Sequence, residues 1–361
     1  VRDLTEKAIP DANLPTISVI TVTLDCAGFL HTCLNLASAQ DYPKEKLEYI
    51  VVDGGSKDNT LEVAREFGAY IVEAPEYRQN QEARRAVGLF AARNEILAYI
   101  DSDNFINDPA WLRQMVQPLI EDPEVIATQT LRYGFRKTDS ALNRYYGLIG
   151  TNDPVIYYMN KRDRISWAED RWTMDGIVED RGCYYMVRFQ EDKIPTLGCN
   201  GFLIRRDILL KANCVPEAFV HIDVLVDLAR LGYSTYGIVK NSIVHYTGNG
   251  FITSLMKRFK YMQTYTIEGK VPRRYHVYDR HRREDKVGLA KYVLYSATMV
   301  KPTFDALRGF RKVPDAAWFM HPIVCAGTLA VYGWARLTAP FYKWWNSRLT
   351  TSRIRTGLIS K

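Results

Sequence analysis

Asp101 and Asp103, two carboxylates separated by one residue, end the apolar run Ala98-Tyr99-Ile100. Alternate residues of an extended chain point to the same side, so the pair can face one ligand. Hard oxygen ligands of this kind suit Mg²⁺ or Mn²⁺, which also hold phosphates. Taken alone, Asp-x-Asp is also the pattern of an acidic surface turn. Here a second acid-tipped run, Leu47-Glu48-Tyr49-Ile50-Val51-Val52-Asp53, precedes it and stops at Gly54-Gly55. Asp53, at a strand end like Asp101 and Asp103, can accept hydrogen bonds from a ligand in the same crevice. Its competing role is to hold the turn before the two glycines. Asp58 suits the capping of a helix N-terminus better than ligand contact.

These acids need a frame that brings strand ends together. Residues 17–23 and 47–52 read as buried strands, 70–72 as a short one and 96–100 as the strand leading into Asp101. Helical patterns lie between them, at about 28–40, 59–67 and 81–92. Strands alternating with helices predict a parallel sheet with helices on both faces. Ligands of such sheets collect outside the carboxyl ends of the strands, where Asp53, Asp101 and Asp103 all sit. Further strands are expected at about 124–131, 185–190 and 234–245, and helices at about 203–212 and 222–231. The Tyr-, Trp- and charge-rich stretch 145–182 reads as a poor core segment and a binding lobe.

The run Val51-Val52-Asp53-Gly54-Gly55-Ser56-Lys57-Asp58-Asn59-Thr60, followed by Arg85-Ala86-Val87-Gly88 and Asp101-Ser102-Asp103, resembles family 2 glycosyltransferases over roughly residues 16–247. The resemblance implies an α/β GT-A fold, Rossmann-like and mostly parallel, and inverting sugar transfer. It makes Asp53 the nucleoside-recognising acid, Arg85 (rather than Arg84) a basic residue near the nucleotide, and Asp101 and Asp103 the diphosphate–metal site. Gly201, in Gly198-Cys199-Asn200-Gly201-Phe202, falls in an acceptor-side loop where small residues admit backbone N–H groups. Asp223, in His221-Ile222-Asp223, matches the base that deprotonates the acceptor hydroxyl. The common family form has two adjacent acids there, so His221 can assist or replace it. His245 ends the last strand and is either a metal ligand, a contact to the diphosphate or a hydrogen-bonded structural residue.

The chain has 361 residues and a net charge of +7. Residues 270–361 alone carry 18 Lys and Arg against 5 Asp and Glu, leaving the rest of the chain acidic. Six scattered cysteines without a Cys-x-x-Cys pair argue against a zinc site or disulfide framework and fit a reducing compartment. The N-terminus shows no signal-peptide pattern, an expectation against export. We divide the chain into a catalytic domain, 1–250, with its acceptor lobe at about 132–250, and a basic, aromatic helical extension, 251–361.

Residues 316–335 contain no Asp, Glu, Lys or Arg and are long enough to span a bilayer. His321, Pro322, Gly327 and Gly333 weaken that reading. Cationic flanks (Arg308, Arg311, Lys312; Arg336, Lys343, Arg348) and Trp318, Tyr332, Trp334, Trp344 and Trp345 favour a membrane surface. A buried helical hairpin or an oligomer contact is the rival. No recognised motif supports nucleic acid.

The expectation is a metal-dependent (Mn²⁺ or Mg²⁺) inverting glycosyltransferase, peripheral or monotopic on the cytoplasmic face of the cell membrane. Its donor is a nucleotide sugar, UDP-linked by preference; its acceptor is lipid-linked or a glycan. A sugar-nucleotide pyrophosphorylase is disfavoured because Thr23-Leu24-Asp25-Cys26-Ala27-Gly28 replaces the Gly-rich, Arg-bearing loop. A processive synthase is disfavoured because only Lys257-Arg258-Phe259 stands where a Gln-x-x-Arg-Trp motif belongs. A non-catalytic membrane scaffold that binds nucleotide sugars is the remaining alternative.

Overall fold

The computed structural model describes residues 9–191, 193–247, 250–263 and 273–355, with side chains described as far as Phe341. The N-terminal half alternates as expected. Strands β1 (Ile17–Thr23), β2 (Leu47–Asp53), β3 (Tyr70–Glu73) and β4 (Ile96–Tyr99) are separated by helices α1 (Ala27–Ser38), α2 (Thr60–Glu66) and α3 (Gln81–Ala91). These four strands pair in parallel in the order β3-β2-β1-β4. Every residue of β1 is buried, which is why it reads as an unbroken apolar run and not an alternating one.

The second half turns the sheet mixed. It comprises β5 (Asn104–Phe105), α4 (Trp111–Glu121), β6 (Ala127–Gly134), α5 (Ala141–Ile149), α6 (Pro154–Tyr158), β7 (Ile177–Asp180), β8 (Tyr184–Arg188) and β9 (Phe202–Arg205). After these come α7 (Arg206–Leu209), α8 (His221–Arg230) and β10 (Thr235–His245). The order continues from β4 as β9-β6-β10-β8-β7, with β9 antiparallel to both neighbours and β5 antiparallel to the end of β10.

Two expectations are corrected. Residues 202–205, expected to begin a helix, form β9, because the apolar run Phe202-Leu203-Ile204 fits between β4 and β6 and is buried there. The 145–182 stretch is not poor in core: Tyr145, Leu148, Ile149 and Ile165 are enclosed, and Arg164 is wholly buried. Arg164 is soluble in that interior because Asp163, Thr130 and the Asn200 carbonyl accept its hydrogen bonds.

Helices α9 (Phe251–Tyr261), α10 (Arg283–Thr298), α11 (Val300–Lys312) and α12 (Met320–Arg355) follow. The extension shares a core with the preceding lobe: Leu142, Tyr145, Tyr146 and Leu148 of α5 pack with Ala306, Trp318 and Val324. His321 is buried at this seam, its Nδ1 2.8 Å from the Tyr145 hydroxyl and its Nε2 3.0 Å from that of Tyr158. Lys343, Trp344, Trp345 and Arg348 lie where side chains are outside the described set.

Candidate functional site

The acidic pair is set by strand ends. Asp101 and Asp103 follow β4, and β5 pairs antiparallel with β10 so that His245 stands opposite Asn104. The Tyr246 N–H donates to the Asp103 carbonyl at 2.8 Å, closing the crossing. His245 Nε2 then lies 3.5 Å from Asp103 Oδ2. Burial opposes charge on His245, but Asp103 outweighs it and raises the imidazole pKa. Phe105 and Tyr246, next to these residues in sequence, line a cleft of about 650 Å³ shared with Asp25, Phe29 and Arg136. The Arg136 guanidinium lies over both the Phe105 and Tyr246 rings, at 5.2 and 5.9 Å.

Asp101 does not join Asp103 and His245 in an all-protein metal cage. Its Oδ2 accepts from Arg85 Nη2 at 2.6 Å. Among the described residues no cluster of three or more His, Cys, Asp and Glu side chains could enclose a metal ion. The Asp103–His245 edge still fits a divalent ion of the kind that binds through one or two protein groups, with substrate phosphates and water completing its shell.

Arg85 is enclosed and reaches the acidic end only through Asp101; its Nη1 donates to Glu82. Glu82 continues the chain. It accepts the His221 backbone N–H at 2.9 Å, and His221 Nδ1 lies 3.0 Å from each of its oxygens. Helix α8 begins without a side-chain cap at Val220, and Glu82 from α3 provides one from across the fold. Burial works against charge on His221, yet Cys199 and Glu82 push its pKa up to about 10. Burial likewise opposes ionised Glu82, but Arg85 and His221 hold its carboxyl well below the usual range. The result is a continuous line of ionic contacts, Asp101–Arg85–Glu82–His221, from the end of β4 to the head of α8.

Three further candidates have partners of their own within the protein. Asp53 is fully buried, with Oδ1 accepting from Thr23 and Ser56 and Oδ2 from the Gly55 and Ser56 N–H groups at 2.7 Å. Its carboxylate holds the turn, the competing role that residues before paired glycines commonly take. Gly201 is also structural: at φ +77° its N–H donates to the Tyr99 carbonyl, and an added Cβ would lie 2.6 Å from Ile243 Cδ1. Asp223 is wholly buried and spent. Arg273 Nε donates to both oxygens and Nη2 to Oδ1, at 3.0–3.2 Å, and the N–H groups of Arg274 and Tyr275 add two more bonds. The carboxylate is turned to residues 273–275, and to act as a base it would have to exchange one of these bonds for the acceptor hydroxyl. Asp58 does cap, accepting the Ala27 and Thr60 N–H groups.

Sequence reasoning missed Glu82. An acid in the first turn of a helix is ordinary dipole complementation, and nothing local announces that this one reaches His221, 139 positions away.

Parallel acid-tipped strands, the order β3-β2-β1-β4 and an antiparallel strand inserted before β6 define an α/β protein of GT-A type. The sequence profile of Glycosyl transferase family 2 matches residues 18–211, more than half the chain. The chain belongs to that family. It is 29% identical to the glycosyltransferase AglE of Haloferax volcanii over 47% of this chain and 56% of AglE. It is 27% identical to the putative glycosyltransferase EpsH of Bacillus subtilis over 31% of this chain and 33% of EpsH. The matches thus span only about half or less of those relatives. A mannosyltransferase from Pyrobaculum calidifontis, solved with GDP-Man and Mn²⁺, aligns over 91% of this chain and 90% of its own, at 16% identity and TM-score 0.49.

Proposed function

We propose that this protein transfers a sugar from a nucleotide-sugar donor to a hydroxyl or phosphate of a lipid-linked or glycan acceptor, with inversion, using Mn²⁺ or Mg²⁺. The observation that carries the reading is the crevice edge formed by Asp103 and His245, with Asp101 held beside it by Arg85. Asp103 and His245 would hold the metal, which supplies positive charge against the departing nucleoside diphosphate. His221, at the head of α8, serves as the base in its neutral form, which Cys199 and Glu82 shift to alkaline pH. When the acceptor is a hydroxyl, His221 takes its proton as that oxygen bonds to the anomeric carbon. The bond from that carbon to the diphosphate breaks, and its electron pair leaves on the phosphate oxygen. Glu82 fixes the imidazole through Nδ1 and stabilises the imidazolium that results.

Calorimetric titration with UDP, GDP and dTDP, in Mn²⁺ and then in EDTA, tests the donor site. The expected result is metal-dependent binding of one nucleotide that disappears in Asp103→Ala. Binding of none of them by folded protein would overturn the reading.

A further inference from the structure

The α12 helix is two-faced in a way its composition hides. At 3.6 residues per turn, Ile323, Ala330, Trp334, Leu337 and Phe341 fall within about 60° of arc, and all five are exposed. Trp334 is 63% exposed, Leu337 79% and Phe341 64%. No charged residue interrupts this stripe, which runs about 27 Å at 1.5 Å per residue. Its opposite face (His321, Val324, Cys325, Thr328, Ala335) is buried against the body of the protein. The stripe is continued on α11, where Val300, Phe304 and Leu307 are exposed. The Phe310 and Phe319 rings, 5.4 Å apart, join the two. Exposed Lys301, Arg308, Arg311 and Lys312 stand on α11 beside these residues, Lys301 paired with Asp305 and Lys312 with Asp170.

We infer that the outer face of α11 and α12 docks into the surface of an anionic lipid bilayer, with α12 lying in the membrane plane instead of crossing it. This goes beyond the transfer chemistry and stands without it. Residues Ala316–Phe341 are long and apolar enough to cross a membrane by length and composition alone, but their packing forbids it. His321 is held by Tyr145 and Tyr158, Tyr332 donates to Asp153, and Arg258 stands 3.8 Å from that same Asp153. A spanning α12 would have to abandon these bonds or carry an ion pair into hydrocarbon. An in-plane helix keeps them all and buries only the free stripe. The charge selects the occupant: a second copy laid face to face would oppose Arg308 and Arg311 with like charge, whereas an anionic leaflet complements them.

Co-sedimentation of the full chain with phosphatidylcholine vesicles, with and without phosphatidylglycerol, tests the inference. Binding should require phosphatidylglycerol, weaken in high salt and fall at least tenfold in the double variant Trp334→Glu/Leu337→Glu. Both substitutions are exposed, so thermal melting and Mn²⁺-dependent nucleotide binding serve as checks that the body is intact. Undiminished vesicle binding by the double variant would overturn the proposal. So would retention of the wild-type chain in membranes after alkaline carbonate extraction, the mark of a span. A lipid-free dimer that the double variant dissolves, without vesicle binding by either form, would assign the face to a second copy.

Discussion

Glu82 and His221 meet at the N-termini of two helices, and one carboxylate both caps α8 through a backbone N–H and holds the imidazole through Nδ1. The same carboxylate accepts from Arg85, whose other arm fixes Asp101. Two side chains, Arg85 and Glu82, therefore link Asp101 to His221.

The first prediction concerns pH. With His221 raised to about 10, kcat/KM for a hydroxyl acceptor should climb through neutrality toward alkaline pH as the imidazolium loses its proton. Removing the Glu82 charge lowers the His221 pKa, so Glu82→Gln should move that limb down by a unit or more. A limb that stays in place when its height changes would show that His221 is not the titrating base.

Asp223→Asn should act on stability more than on chemistry. The wholly buried carboxylate pairs with partly exposed Arg273, and breaking such a pair costs about 3 kcal/mol. Urea unfolding should show that loss, while the folded fraction keeps kcat within about tenfold, the residue standing outside general-base catalysis. A kcat fall of a thousandfold at unchanged stability would return the base to Asp223.

Gly201→Ala should destabilise without any effect assigned to ligand contact. The residue sits at φ +77°, and the new methyl would press on Ile243 and on Trp111, 3.0 Å away. Left-handed strain and overpacking together are worth about 3 kcal/mol, to be read as a lowered Tm.

Acid should loosen the C-terminal seam. Burial depresses the His321 imidazole to about 4 from its ordinary value of 6.5, so between those values the unfolded chain binds a proton that the folded one refuses. Stability is whole above pH 6.5 and falls as pH drops toward 4, by up to about 3 kcal/mol. His321→Gln should flatten that part of the stability–pH curve, measured by urea melts at fixed pH steps.

The parallel half of the sheet was legible because β1, β2 and β4 are apolar runs punctuated by acids and glycines, which is what a strand buried on both faces and ending at a crevice must look like. Strand β9 was not, since Phe202-Leu203-Ile204 followed by a polar stretch suits helix and strand alike, and only the gap between β4 and β6 decides. At the candidate site, the strand-end positions of Asp103 and His245 were legible, but not the β5–β10 crossing that brings the two side chains to 3.5 Å. Asp53, Gly201 and Asp223 show the opposite limit: a motif position fixes residue type, but which partners consume its hydrogen bonds depends on chain far away, Arg273 for Asp223 and Tyr99 for Gly201.

The seam at Tyr145 and His321 also bears on how such a chain can diversify. A tail exchanged wholesale for another would strand two tyrosine hydroxyls and uncover the α5 core, so recombination at residue 250 does not yield an interchangeable cassette. Variation is easiest on the outer stripe of α12, where a substitution leaves every interior partner in place. The catalytic body and its tail must be inherited together, while the surface the tail presents is free to drift.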